Sequence, residues 1–274
     1  MLVHCYSFAR IAVLSVLICV TMNKQKRSPS LIKIVTYNMQ VGVATTRGYW
    51  HYATSFWKHL LPHSGAAVED IAHFVRSEAI DIAVFTEIDG GSYRTLGVNQ
   101  VKRIAKLTGL DESSFLPTYR FSRFANHGNG ICSKYPILKD ENHKLPGNGH
   151  PRYLGVADIK IDGQNMAVMV THLSLGEAKR KEQMEYIGET VRSTEGPVML
   201  TGDFNTENAS EIGTLLDGTR LRLVANHETY PSWRAKRSLD YLFLSPEISF
   251  VEAYAPDDVR LSDHLPLVAK VFLN

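Results

Sequence analysis

Six short apolar runs in this chain begin or end on an amide, an acid or a histidine, and that recurrence constrains the fold more than any other feature. Leu31 to Tyr37 (LIKIVTY) leads into Asn38, Ile80 to Thr86 (IDIAVFT) into Glu87, and Met166 to Thr171 into His172. Val198 to Thr201 runs into Gly202-Asp203-Phe204-Asn205, Asp240 opens the run up to Leu244, and Asp263-His264 precedes Leu265 to Phe272. Runs this short and rich in Val, Ile and aromatics read as strands, and Leu154 to Ile161 reads as another. Between them, Val68, Ile71, Ala72 and Val75 recur at helical spacing behind a Ser64 cap, and Val98 to Leu107 and Glu177 to Val191 also read as helices. Strands and helices alternate early, while strands follow strands later. That is a mixed α/β pattern, not a succession of βαβ units.

At 274 residues and 44% hydrophobic, the chain can bury a sizeable core. No repeat, low-complexity tract or Pro/Gly linker interrupts residues 31–274, so that span is read as a single domain and residues 1–30 as a leader. Ile11 to Met22 is a 12-residue apolar run behind Arg10. It falls short of the roughly 20 residues of a membrane span and lacks a small-x-small cleavage site. Translation from Met22 would leave the protein cytoplasmic, whereas residues 11–22, if used, would export it or anchor it in a membrane. Lys and Arg total 30 against 28 acids; the leader takes four cations and no acid, leaving 26 against 28, a net of −2, in residues 31–274. That balance argues against coating duplex nucleic acid by charge alone, though not against a local basic groove. Cys5, Cys19 and Cys132 are too scattered for a zinc site or a disulfide framework and read as reduced thiols.

Strand ends of one sheet converge on one mouth, where Glu87, Asp203, Asp240 and Asp263 would repel one another. A hard divalent cation offsets that repulsion and accepts carboxylate and amide oxygens as ligands. His172 and His264 add groups able to exchange protons near neutral pH. A set of this kind without cysteine points to an oxygen-ligated metal working on phosphate. Taken singly, each residue has a plainer use: Asn38, Gly202-Asp203 and Asp263 in turns, Glu87 as a solvated strand end, His172 as a hydrogen-bonded structural histidine. Only the set carries the inference.

Read in order, YNMQ at 37–40, TEIDGG at 86–91, GNGICSKYPI at 128–137, THL at 171–173, GDFN at 202–205, YPSW at 230–233, LDYLFLS at 239–245 and SDHLPL at 262–267 resemble the endonuclease/exonuclease/phosphatase superfamily with its deoxyribonuclease I-like fold. The resemblance spans nearly all of residues 31–273. It implies a four-layer α/β sandwich, two packed mixed β-sheets flanked by helices, and hydrolysis of a phosphoester with Mg²⁺, or with Mn²⁺ in its place. It also implies roles. Glu87 would be the main metal ligand, with Asn38 beside it and Asp263 as a further metal contact. Asp203 would orient or activate the attacking water, and Asn205 would hold a phosphate oxygen. Asp240 would orient His264, the second catalytic histidine, and His172 would stabilise developing charge or assist the leaving oxygen. A scaffold retained only for binding would have lost such residues, yet all eight are present.

The substrate is less constrained. THL stands where abasic-site endonucleases carry a tyrosine-containing segment, and Gln40 stands two after the first Asn, where they usually place an acidic or amide residue. Both points lead away from abasic-site repair, and THL resembles the deoxyribonuclease-like, sphingomyelinase-like and deadenylase-like branches; nucleic acid is the leading substrate, with a phospholipid or a phosphorylated small molecule as the alternative. A monomer is expected, with no protein partner inferable. Arg234, Lys236 and Arg237 behind Trp233 could hold a polyanionic strand, although a solvated loop with Trp233 in the core is the simpler reading. Lys179-Arg180-Lys181, among Glu177, Glu182 and Glu185, reads as a salt-bridged exposed face. The aromatic segment Val41 to Gly65 is long for a loop and reads as a buried extra helix in preference to a substrate lid or lipid-contacting surface.

Overall fold

A computed structural model describes residues 30–59, 61–63 and 65–274. The leader (1–29) and the Ser64 cap lie outside the described residues. In chain order the elements are β1 (Leu31–Asn38), α1 (Tyr49–Ser55), α2 (Ala66–Ser77), β2 (Ile82–Asp89), α3 (Gln100–Thr108), β3 (Glu112–Phe121), β4 (Ala125–Ser133), β5 (Ile137–Lys144), β6 (Tyr153–Ile161), β7 (Gln164–His172), α4 (Glu177–Ser193), β8 (Val198–Asp203), α5 (Ala209–Leu216), β9 (Arg222–Ala225), β10 (Asp240–Leu244), β11 (Ile248–Tyr254) and β12 (Leu267–Leu273).

These strands form two six-stranded mixed sheets, in the orders β11-β12-β1-β2-β4-β3 and β5-β6-β7-β8-β10-β9. Each sheet holds one parallel pair, β1 with β2 and β7 with β8, and its remaining neighbours are antiparallel. Side-chain alternation builds the layers. In β1, Ile32 and Ile34 face the other sheet while Val35 and Tyr37 face the helices; in β7, Met166, Val168 and Val170 face inward while Ala167 and Met169 face outward. The inward faces form the central core. Helices α2 and α3 cover the outer face of the first sheet, and α4 with α5 cover the second. The expected four-layer sandwich is the fold observed. No helix among the described residues is long and apolar enough to cross a membrane.

Three expectations are corrected. The 41–65 segment does contain a helix, α1, but it is not buried: Tyr49, Trp50, Phe56 and Trp57 are exposed, Trp50 to 86%. Trp233 is half-exposed and outside the core, with its ring edge-on to Tyr49 at 5.4 Å and to Tyr52 at 6.0 Å between centroids. Arg180 does not sit on an exposed face. It is buried and paired with Glu211 on α5 through Nε at 2.7 Å and a second guanidinium nitrogen at 3.0 Å, so a charge that looked solvated joins two helices. Cys132 is a buried free thiol, consistent with the reduced reading.

Candidate active site

The carboxyl ends of the two parallel pairs meet across the sandwich. Asn38 ends β1 and His172 ends β7; Glu87 lies near the end of β2 and Asp203 ends β8. Strands β1 and β8 approach between the sheets, where the Thr36 and Thr201 hydroxyls lie 2.5 Å apart. Two residues further on, Asn38 donates from Nδ2 to Asp203 Oδ2 at 3.0 Å. On the other diagonal, His172 Nδ1 lies 3.6 Å from Glu87 Oε1. Each sheet therefore supplies half of one mouth, at the strand ends where open α/β sheets characteristically bind ligands.

Local backbone devices aim the two key carboxylates. The β2–β4 register shifts between Phe85 and Ile88, and within that bulge Glu87 takes φ = 50°, turning its side chain out of the pleat. Asp203 follows Gly202, whose φ is 137° and where an added Cβ would stand 1.9 Å from the Thr171 carbonyl oxygen. Only glycine permits β7 and β8 to close up just before His172 and Asp203 at their ends.

Asp203 is the hub. Its Oδ1 accepts the Asn205 backbone N–H at 2.9 Å, and its Oδ2 lies 3.6 Å from Nε2 of both His172 and His264. Burial pushes the Asp203 carboxyl above its usual range, against the pull of the His264 charge. The His264 Nδ1–Asp240 Oδ2 contact is 2.7 Å, and the same oxygen accepts from the Thr229 hydroxyl at 2.5 Å. Burial alone would lower the His264 pKa, but the Asp240 and Asp203 carboxylates raise it to about 10, so this imidazole is charged at neutral pH. His172 is the opposite case: burial, with the nearby Arg152 and His264 charges, holds it well below its ordinary value and neutral.

Glu87 faces the mouth with no hydrogen-bond donor among the described residues. Burial and the Asp263 and Asp203 charges push its carboxyl well above the usual range. Asp263 accepts from the Tyr52 hydroxyl at 2.8 Å and from Ser262 Oγ at 3.0 Å. Three mutually repelling carboxylates, one of them without a donor, are what a hard divalent cation would relieve. Asp203, Asp240 and His264 also bring ligand atoms within 4.8 Å of one another. His264 Nδ1 is already taken by Asp240, however, so that trio is better suited to moving protons, and the Glu87 side fits the metal.

All eight expected residues reach this mouth. For two of them the partners are more local than the resemblance implied: Asn38 Oδ1 accepts the Gln40 N–H at 3.1 Å, and Asn205 Nδ2 donates to the Leu173 carbonyl at 3.0 Å, its second amide proton having no partner among the described residues. The structure adds Tyr52, Thr229, Asn129 and Arg152. Asn129 lies inside the recognised GNGICSKYPI stretch, where it carried no assigned role, and Arg152 sits in a loop-like NGHPRY stretch with no strand-end signal.

Solved structures share the fold at low identity. An endonuclease/exonuclease/phosphatase from Beutenbergia cavernae aligns with a TM-score of 0.67 at 20% identity, covering 89% of this chain and 72% of that one. The mannosyl-6-phosphatase Bt3783 of Bacteroides thetaiotaomicron aligns with 0.66 at 17%, covering 88% and 99%. D. rerio TDP2 in complex with single strand DNA product aligns with 0.63 at 16%, also covering 88% and 99%. No curated protein matches the sequence. The profile described as the Endonuclease/Exonuclease/phosphatase family matches residues 35–264, from the middle of β1 to His264 itself, and the chain belongs to that family of phosphoester hydrolases.

Proposed function

We propose that this protein is a divalent-metal-dependent phosphodiesterase acting on nucleic acid, with Mg²⁺ as the resident ion and Mn²⁺ able to replace it. The carrying observation is the opposition, across one mouth, of the donor-free Glu87 carboxylate and the Asp203–His264–Asp240 array. Glu87, with Asp263 and the Asn38 amide nearby, would hold the ion, which supplies Lewis-acid polarisation of a phosphoryl oxygen. Asp203, its affinity for protons raised by burial, takes a proton from the attacking water as the water oxygen bonds to phosphorus and the P–O bond to the leaving oxygen breaks. Charged His264 offers Nε2–H to the oxygens that gain charge, while Asp240 fixes its tautomer. Neutral His172 and the Asn205 amide supply further donors. Trp233, edge-packed against Tyr49 and Tyr52 beside Asp263, offers a ring on which a base can stack.

Nicking of supercoiled plasmid by the purified protein, with Mg²⁺ and with chelator, tests this reading beside a His264→Ala variant. Nicking that needs both the metal and His264 is expected. A folded protein that binds Mg²⁺ and leaves the plasmid intact would overturn the nucleic-acid assignment. One observation favours a second reading, a phospholipid substrate: the exposed Tyr49, Trp50, Phe56 and Trp57 beside the mouth have the character of an interfacial contact. Hydrolysis of sphingomyelin vesicles without nicking would establish it.

A further inference from the structure

Beside Glu87 and His172 a cleft of about 130 Å³ runs between the two sheets, walled by Thr118, His127, Asn129, His150 and Arg152. Asn129, on β4, is only 2% exposed, yet its Nδ2 has no acceptor among the described residues. A buried N–H left without an acceptor costs free energy, so the site is built for a group that is not part of the protein. Arg152 stands opposite. Its guanidinium has no salt-bridge partner within 4 Å among the described residues, although Glu87 and Asp203 lie close enough to sustain its charge against burial. His127 is held neutral, its pKa lowered by burial and by Arg94 to about 3, so it presents imidazole and not a second charge. The cleft thus offers one planar cation and neutral N–H donors, and Glu87 at its inner end is its one acid.

Size and charge together point to the class of ligand. Whole-ligand pockets span roughly 300–1,000 Å³, so a space of about 130 Å³ takes a small group of a substrate and not the whole of it. Arg152 is the side chain type that grips an oxyanion bidentately. Outward, the cleft shares His150 and Arg152 with a wider depression of about 470 Å³ bordered by Asn148, Ser174 and Lys179, which leaves room for the rest of a molecule to continue.

We propose that this cleft is a subsite for a second phosphoryl group on the substrate, held by Arg152 and Asn129 while the scissile phosphoester lies at Glu87 and Asp203. The proposal deepens the phosphoesterase reading and rests on it for the position of the scissile group. The second phosphate can come from the next position of a nucleic-acid strand or from a bisphosphorylated small molecule.

The test uses the full chain and substrate pairs that differ by one phosphate: TpT against pTpT, and glucose 6-phosphate against glucose 1,6-bisphosphate. In at least one pair, kcat/KM is expected to favour the additional phosphate tenfold or more, and the pair that shows it identifies the source. In Arg152→Gln, and separately in Asn129→Leu, that ratio is expected to fall towards one. Equal kcat/KM within both pairs, or a ratio that survives both substitutions, would overturn the subsite. Calorimetric binding of the same pairs, with chelator present, separates this proposal from the phosphoesterase reading. Preferred binding of the additional phosphate, with no turnover of either pair once Mg²⁺ replaces the chelator, leaves the subsite standing and removes these phosphoesters as substrates. Equal binding within both pairs removes the subsite.

Discussion

His264 illustrates how much of this site's chemistry sits in single side chains and their immediate partners. Its charge depends on Asp240 and Asp203, which outweigh burial and raise its pKa to about 10. An activity that needs the protonated imidazole is therefore present below that value and lost as pH rises through it. Asp240→Asn removes the nearest carboxylate, so the alkaline limb of the kcat profile is expected to move to lower pH. A fall in kcat of about 10²–10⁴-fold is expected with it, the usual worth of a positioned proton-transfer group; an unshifted limb would remove His264 from the reaction. Glu87 gives the opposite sign. Its raised pKa means that the metal-free carboxyl is partly protonated as pH falls from neutral, so a bound cation must displace that proton. Mg²⁺ affinity is expected to weaken towards acid, with up to one proton released per ion. Calorimetry in buffers of different ionisation enthalpy reads that release directly, and Glu87→Gln should abolish it.

At the scale of elements, legibility followed burial. The strands that carry or directly follow site residues, β1, β2, β7, β8, β10 and β12, occupy the middle of the sheets, and their apolar runs announce them. The two sheets end on β11, β3, β5 and β9, and none of these four was visible in advance. Edge strands present one side to water, so β5, reading ILKDENHK, carries charges and lacks the apolar contrast that marks a central strand. β4 was missed for another reason: its glycines at 128 and 130 lower strand propensity while letting the Phe115 and Val101 side chains pack close. The Arg180–Glu211 pair that ties α4 to α5 was misread because a charge run on a helix says nothing about what packs over it. Removing one partner of such a buried pair costs about 3–5 kcal/mol, or roughly 10 °C in Tm for a domain of this size, which thermal unfolding of Glu211→Ala would show. Arg180 depresses the Glu211 pKa, so the pair's contribution is present above the unfolded carboxylate value and lost as pH falls through the folded one. The gap between wild type and variant should therefore narrow in acid.

Over the whole molecule, charge is nearly balanced, 26 cations against 28 acids in residues 31–274. A nucleic-acid substrate would thus be held by a few local contacts, with Arg152 and charged His264 foremost. The logarithm of 1/KM for a single-stranded substrate should fall with the logarithm of salt with a slope of about −1 to −2, from roughly 0.7 per neutralised phosphate. A slope several times steeper would mean a basic track along the surface and would contradict the balance.

The apolar runs and the acids, amides and histidines at their ends determined, without any coordinates, that the chain would be a mixed α/β protein with a polar mouth at its strand ends, and the family resemblance of its motifs added the layered sandwich. Period-two burial is a local property, so it is written locally. Tertiary structure alone decided how the two parallel pairs meet, which sets Asn38 on Asp203 and Glu87 beside His172 from strands in different sheets. It alone gave Asn129 and Arg152 a shared cleft. Side chains that lie far apart in sequence and belong to different sheets acquire a common function only when packing brings them together, and no window of sequence contains that information.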